Sequence, residues 1–183
     1  MNDDIAEILF SEEAILRAID RLALEITAAY RGGDLTVVSV LKGSCVFASD
    51  LIRRIPIPLE LAFVAAASYR NGTAPGPLEV SYFPTDAEIA GRRLLLVDDI
   101  LDTGRTLSAI RDALLARGAR EVLCCVFLDK TARRRVDLRA DFQGFVVPDR
   151  FVVGYGLDFA GRYRNLPFVA ALKPEILAAA ASR

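Results

Sequence analysis

Short apolar runs recur along this chain and alternate with stretches of helical character, and that alternation constrains the fold more than any other feature. The runs are Leu35–Leu41 (LTVVSVL), 59–68 (LELAFVAAAS), Arg93–Val97 (RLLLV) and 121–128 (EVLCCVFL). Each reads as a buried strand. Ahead of the first, Ser11 is expected to cap a helix. Its first turn holds Glu12 and Glu13, its apolar face repeats at Ile15, Ile19, Leu22 and Ile26, and Gly32 and Gly33 stop it. A second helix is expected at about 45–54, before Pro56 and Pro58. A third follows Gly104, with Leu107, Ile110 and Leu114 on one face and Gly118 at its end. Residues 69–77 (YRNGTAPGP) break the pattern as a loop, and 78–83 reads as a returning hairpin strand. Short strands are expected around Pro148 within 143–154, 168–172 is apolar, and an alanine-rich helix begins near Lys173. Strand–helix alternation implies an α/β architecture, a mainly parallel sheet covered on both faces. With no repeat, linker or low-complexity tract, residues 1–183 read as one domain.

Composition narrows the function. A chain of 183 residues that is 53% hydrophobic can bury a core and is not disordered. Its net charge of -1 argues against bulk binding to nucleic acid or a membrane surface. No apolar run reaches the roughly 18 residues that cross a bilayer, and the opening MNDDIAE carries no secretion signal. The three cysteines, Cys45, Cys124 and Cys125, read as reduced, buried thiols of a cytoplasmic protein. The adjacent pair should face opposite sides of a strand. There is no histidine. The usual general base, the usual zinc ligand and every Ser-His or Cys-His pair are therefore excluded.

The informative stretch is Leu94–Leu107, LLLVDDILDTGRTL. A buried strand leads into acids, a Thr-Gly-x-Thr turn and a helix. Ligands of open α/β sheets bind beyond the carboxyl ends of strands. A helix N-terminus there offers free N–H groups to a phosphate. Thr103 and Thr106 add hydroxyls, and Gly104 lets the backbone approach the anion. Asp98 and Asp99 could meet ribose hydroxyls or a Mg²⁺ carried by the substrate. Competing motifs fail on spacing. A P-loop needs Gly at the position of Asp99. A phosphatase-type pair needs acids two apart in Asp-x-Asp-x-Thr. A dinucleotide fingerprint starting at Gly154-Tyr155-Gly156 meets Phe159 where its last Gly belongs.

Residues 97–107 resemble the diphosphoribosyl-binding signature of the type I phosphoribosyltransferases. LKGS (41–44), Ser68-Tyr69, LDK (128–130) and GFVVPDRFVVGYGLDFAGRYRNLP (144–167) resemble, in order, the 6-oxopurine branch, the hypoxanthine/guanine phosphoribosyltransferases. The resemblance implies the type I fold, a mainly parallel sheet flanked by helices. It adds a small hood from the N- and C-terminal segments and a flexible lid hairpin at about 69–80. It also implies a reaction: purine N9 displaces pyrophosphate from 5-phosphoribosyl 1-diphosphate, with Mg²⁺. The product is the purine nucleotide.

Roles then follow position by position. Without histidine, a carboxylate inside the phosphate loop is the available base, and the resemblance sets Asp102 at purine N7. Thr103, Gly104, Arg105 and Thr106 hold phosphate. Lys42 and Gly43 form the pyrophosphate turn, where the Leu41–Lys42 peptide is cis in the family. Lysine is scarce, 3 against 20 Arg, and two of the three, Lys42 and Lys130, fall on motif positions. Lys130 donates to purine O6, which favours 6-oxo over 6-amino bases. Phe151 covers the purine face and the Val152 backbone meets its edge. Asp98, Asp99 and Asp158 are the metal candidates, Arg164 binds pyrophosphate, and Ser68-Tyr69 belong to the lid. The family's acid pair is most often Glu-Asp, whereas here it is Asp98-Asp99, one methylene shorter. The basic run Arg133-Arg134-Arg135 reads as a solvated or interface patch. A homodimer or homotetramer is implied. Two alternatives stay open: a nucleotide-binding regulator of the same fold, and a transferase that prefers guanine or xanthine.

Overall fold

The computed structural model describes the backbone over residues 2–71 and 74–181 and the side chains over 3–66 and 80–179. Strand β1 (Ile5–Phe10) precedes helix α1 (Glu12–Ala29). Strand β2 (Leu35–Leu41) leads to α2 (Cys45–Ile52). Next come β3 (Leu59–Asn71), β4 (Ala74–Tyr82) and a short α3 (Asp86–Ile89). Strand β5 (Arg93–Leu101), α4 (Arg105–Ala116) and β6 (Glu121–Asp129) follow. The chain closes with β7 (Phe142–Val146), β8 (Val152–Val153), β9 (Val169–Leu172) and α5 (Pro174–Ala181).

The larger sheet has six strands in the order β4-β3-β2-β5-β6-β7. Every pairing from β3 to β7 is parallel, and β4 joins the β3 edge antiparallel. Parallel strands need both faces covered, and the side-chain parity shows how. Val37, Leu95, Val97, Cys125 and Phe127 pack with Ile19 and Leu22 of α1 and Phe47 and Leu51 of α2. Val38, Leu94, Leu96, Cys124 and Val126 pack on the other face with Leu107, Ile110 and Leu114 of α4. The adjacent cysteines thus face opposite sides, as a period of two requires. Burial raises both thiols, Cys124 to about 12. Cys45, expected to be buried, is exposed at the start of α2.

Helix α1 starts where the sequence indicates. The Ser11 hydroxyl accepts the Ala14 N–H at 3.3 Å, and Ile15, Ile19, Leu22 and Ile26 are fully buried. A second, three-stranded sheet, β1-β9-β8, is antiparallel and joins both ends of the chain. The Phe10 ring stacks on Phe145 at 4.0 Å and ties this sheet to the main core.

Three elements differ from the sequence reading. Strand β1 has no local signal: its burial barely alternates, and its partner β9 lies near the other end of the chain. Strand β3 runs to Asn71 and β4 begins at Ala74, so the expected loop is mostly a hairpin. Pro75 and Pro77 are tolerated because β4 is an edge strand. Strand β5 continues past Val97 to Leu101, which puts Asp98 and Asp99 inside a strand.

The order of strands positions the site. From β2 the chain winds outward to β3 and β4, then returns past β2 to β5 and on to β6 and β7. Loops that leave β2 and β5 therefore diverge. A crevice opens beyond the carboxyl ends of these two strands.

Candidate active site

The crevice holds a cavity of about 510 Å³. Strand β5 supplies Asp98 and Asp99, the turn after it supplies Asp102 and Thr103, and α4 supplies Thr106. Gly43 enters from the turn after β2, and Asp158 and Arg164 enter from the segment between β8 and β9.

Gly104 caps α4 in the left-handed conformation, φ 81°, and provides no side-chain cap. A Cβ there would lie 2.8 Å from Val136 Cγ2, so only glycine fits without displacing that side chain. The first N–H groups of α4 are left for an anion. Arg105 begins the helix, but its side chain is exposed and does not line the cavity.

The turn after β2 is tighter still. A Cβ on Gly43 would fall 1.6 Å from Asp99 Oδ2, and a Cβ on Gly156 would fall 2.1 Å from the Gly43 carbonyl oxygen. The Gly43 backbone thus sits between the Asp99 carboxylate on one side and the Gly156 backbone on the other. Beneath the turn, the Ser44 hydroxyl donates to the Val40 carbonyl at 2.6 Å and lies 2.7 Å from the Ser39 hydroxyl, both buried. The Leu41–Lys42 peptide is cis. The Lys42 side chain is exposed.

Negative charge is crowded at the strand end. The Asp99 N–H donates to Asp98 Oδ1 at 3.0 Å. Burial, then the neighbouring Asp99 charge, pushes the Asp98 carboxyl well above the usual carboxylate range. Burial also raises Asp99, although the Arg164 guanidinium opposes this. Asp158 is already engaged: Arg164 Nη2 is 2.6 Å from its Oδ1, and the Gly161 N–H donates to its Oδ2 at 2.8 Å. Arg164 Nη1 donates to the Gly156 carbonyl at 2.6 Å.

The donor set suits a hard cation, because it is all oxygen and its charge is uncompensated at Asp98. Among the described residues, however, no three His, Cys, Asp or Glu side chains form a ready metal cluster. The residues therefore fit a Mg²⁺ that arrives with substrate oxygens and takes one or two carboxylates, Asp98 and Asp99. They do not form an all-protein cage, and Asp158 would have to share oxygens it already commits to Arg164.

Lys42, Lys130, Phe151 and Val152, expected at the site, are not among the residues that line the cavity. Lys130 is 5% exposed and has no ion pair among the described residues. Its backbone N–H donates to the Leu101 carbonyl at 3.0 Å, and the Val147 N–H donates to the Asp129 carbonyl at 2.9 Å. Phe151 is 45% exposed and edge-on to Phe159 at 5.2 Å, while Val152 is buried. A half-exposed aromatic ring of this kind can stack on a flat ligand. One Asp102 oxygen, Oδ1, is buried with no partner. Ser68 and Tyr69, whose side chains lie outside the described residues, and Gly72 and Thr73 leave the lid expectation where the sequence put it.

Within the arginine run Arg133 and Arg135 are exposed, as a solvated patch requires, but Arg134 is not. Arg134 is 16% exposed, forms a buried ion pair with Asp129, and donates from Nη1 to the Leu138 carbonyl at 2.6 Å. Arg133 pairs with Asp102, and the Arg135 N–H donates to the Thr103 carbonyl at 3.0 Å. Asp129, Arg133, Arg134 and Asp149 were not marked by sequence reasoning. The signal available was position, since all lie at or just beyond the carboxyl ends of β6 and β7, the end of the sheet at which ligands bind.

The family model of the phosphoribosyl transferase domain matches residues 6–160. The hypoxanthine-guanine phosphoribosyltransferase of Bacillus subtilis (strain 168) is 41% identical over 176 residues, 96% of this chain and 98% of that protein. The bifunctional protein TilS/HprT of Listeria innocua is 46% identical over 176 residues. That match covers 96% of this chain but 27% of the relative, so the chain spans about a quarter of that protein's length. A crystal structure of a hypoxanthine phosphoribosyltransferase from Staphylococcus aureus superimposes with a TM-score of 0.91 at 39% identity, covering 96% of both chains.

Proposed function

This chain belongs to the phosphoribosyl transferase family, and from that premise we propose that it is a cytoplasmic purine-salvage enzyme. It converts hypoxanthine or guanine and 5-phosphoribosyl 1-diphosphate to the nucleotide and pyrophosphate. One observation carries the reading. Asp102 stands inside the phosphate turn with one carboxylate oxygen buried and unpartnered. An orphaned acceptor of this kind is costly unless a ligand satisfies it.

The turn at 103–106 and the first turn of α4 take the 5-phosphate. The Lys42-Gly43 turn and Arg164 take the pyrophosphate, where a guanidinium offers two parallel donors. Asp98 and Asp99 face the ribose hydroxyls. Mg²⁺, when bound with the diphosphate, offsets its charge and eases departure of pyrophosphate. Phe151 covers the purine face, and Lys130 donates to O6. The buried ammonium needs an acceptor, and a 6-amino group cannot be one. With the base bound as its N7–H tautomer, the N9 lone pair forms the bond to C1. Pyrophosphate leaves with the C1–O electron pair, and the N7 proton passes to the Asp102 carboxylate.

A homodimer or homotetramer accords with Leu61, Val80 and Tyr82, which leave apolar surface exposed on β3 and β4. No described helix is long and apolar enough to cross a membrane.

The test is one assay with 5-phosphoribosyl 1-diphosphate and Mg²⁺ across hypoxanthine, guanine, xanthine and adenine. Nucleotide from 6-oxopurines and none from adenine is expected. No product from any base would leave the nucleotide-binding regulator as the better reading.

A further inference from the structure

Arg133 connects parts of the base site that the chain itself keeps far apart. Its Nη1 donates to Asp102 Oδ2 at 3.2 Å, and its Nε lies 3.7 Å from Asp149 Oδ1. Asp102 follows β5, Arg133 follows β6 and Asp149 follows β7, and these three strands are neighbours in the sheet. One guanidinium therefore spans three adjacent strand ends. Asp149 lies two residues before Phe151. The two oxygens of Asp102 are used differently. Oδ2 is held by Arg133, and Oδ1 is buried with no partner.

We propose that Arg133 is a positioning residue for the purine base, holding the Asp102 carboxylate so that Oδ1 faces the base and clasping the segment that carries Phe151. This rests on the transferase reading above. A fork of fixed shape can bind one acid through Nη1 and a second through Nε, whereas a single ammonium cannot serve both at these separations. The strand ends are held independently by backbone bonds from Lys130 to Leu101, Val147 to Asp129 and Arg135 to Thr103. The frame thus survives loss of the side chain. Arg133 and Asp149 are about half exposed, 48% and 56%, so their pairing adds little to stability. The role is in binding and orientation.

Steady-state kinetics on the full chain tests this. Arg133→Ala is expected to raise KM for hypoxanthine about tenfold, the equivalent of one lost orienting contact, while KM for the diphosphate stays within about twofold. Melting should shift by no more than roughly 3 °C. Arg133→Lys should recover less than half of the loss. Asp149→Asn should move the base KM in the same direction by less, and adding it to Arg133→Ala should change little further. The proposal is overturned if Arg133→Ala leaves the base KM within twofold, raises both KM values in parallel, or lowers the base KM, which would make Arg133 a plug. A wild-type chain that turns over no purine overturns the transferase reading itself, so the two failures are distinguishable.

Discussion

On the side of the crevice proposed to take the diphosphate, glycine turns make the closest approaches. Gly43 lies against the Asp99 carboxylate, Gly156 against the Gly43 carbonyl, and Gly104 opens α4. On the base side the walls are side chains from three separate segments, joined by the pairs of Arg133 with Asp102 and Asp149 and of Arg134 with Asp129. The difference follows from what each half must hold. A phosphate is an anion of fixed shape that N–H groups and glycine turns can cradle at close range. A flat base must be gripped on its face and edges at once, which takes groups from several strand ends. The first half leaves Asp98 and Asp99 crowded for a ligand to relieve, and the second half pairs its arginines with acids while Asp102 Oδ1 stays unpartnered and Lys130 has no ion pair among the described residues.

The sharpest way to break this contrast is at Asp102, which belongs to both halves. Asp102→Asn keeps the shape but cannot take a proton. It is expected to lower kcat by about 10²–10⁴-fold, with KM for the diphosphate nearly unchanged. Near-normal turnover would remove Asp102 from the chemistry. Next comes Lys130 on the base side. Lys130→Met should reduce discrimination between hypoxanthine and adenine by on the order of 100-fold, the scale of one buried hydrogen bond to a charged donor. Competition assays with both bases measure it, and unchanged discrimination would place 6-oxo selectivity elsewhere. On the diphosphate side, Gly156→Ala forces a Cβ against the Gly43 carbonyl in a left-handed conformation, φ 98°. It should cost more than about 2 kcal/mol of stability and weaken the diphosphate more than the base. Equal loss for both substrates would show that the halves are not separable.

The smallest effect concerns the crowded acids. The folded Asp98 carboxyl is raised by burial and by Asp99. In that window the folded chain binds a proton that the unfolded chain has lost, so stability falls as pH rises through it. Asp98→Asn should therefore raise Tm by roughly 2–4 °C at pH 8. The gain should fade as pH falls toward about 3, where the carboxyl is largely protonated in both states. A gain that does not vary with pH would assign it to packing rather than charge. The same substitution should weaken the diphosphate.

Legibility followed the same division. The diphosphate half was readable because its parts are contiguous, with strand, acids, turn and helix between 94 and 107, and because a left-handed turn leaves a glycine in the sequence. Lys130 and Phe151 were placed only by resemblance, since nothing local distinguishes them from a surface lysine and a core aromatic. Arg134 was misread for a physical reason. Three consecutive arginines look solvated, yet Arg134 is largely withdrawn from solvent because Asp129, at the end of β6, compensates its charge. Strand β1 and the length of β5 escaped for the same kind of reason, since hydrogen bonds to partners distant in the chain created them.

The sequence by itself determined the α/β alternation, the two covered faces, the strand–turn–helix proposed to take phosphate and the lack of histidine. These are properties of period, spacing and residue type, which are local. Tertiary structure alone decided that Asp98 and Asp99 lie within a strand, that Gly43 sits against Asp99, and that one arginine joins Asp102 to Asp149. Those depend on which strand ends become neighbours when β2 and β5 pair, and long-range pairing of that kind leaves no local mark.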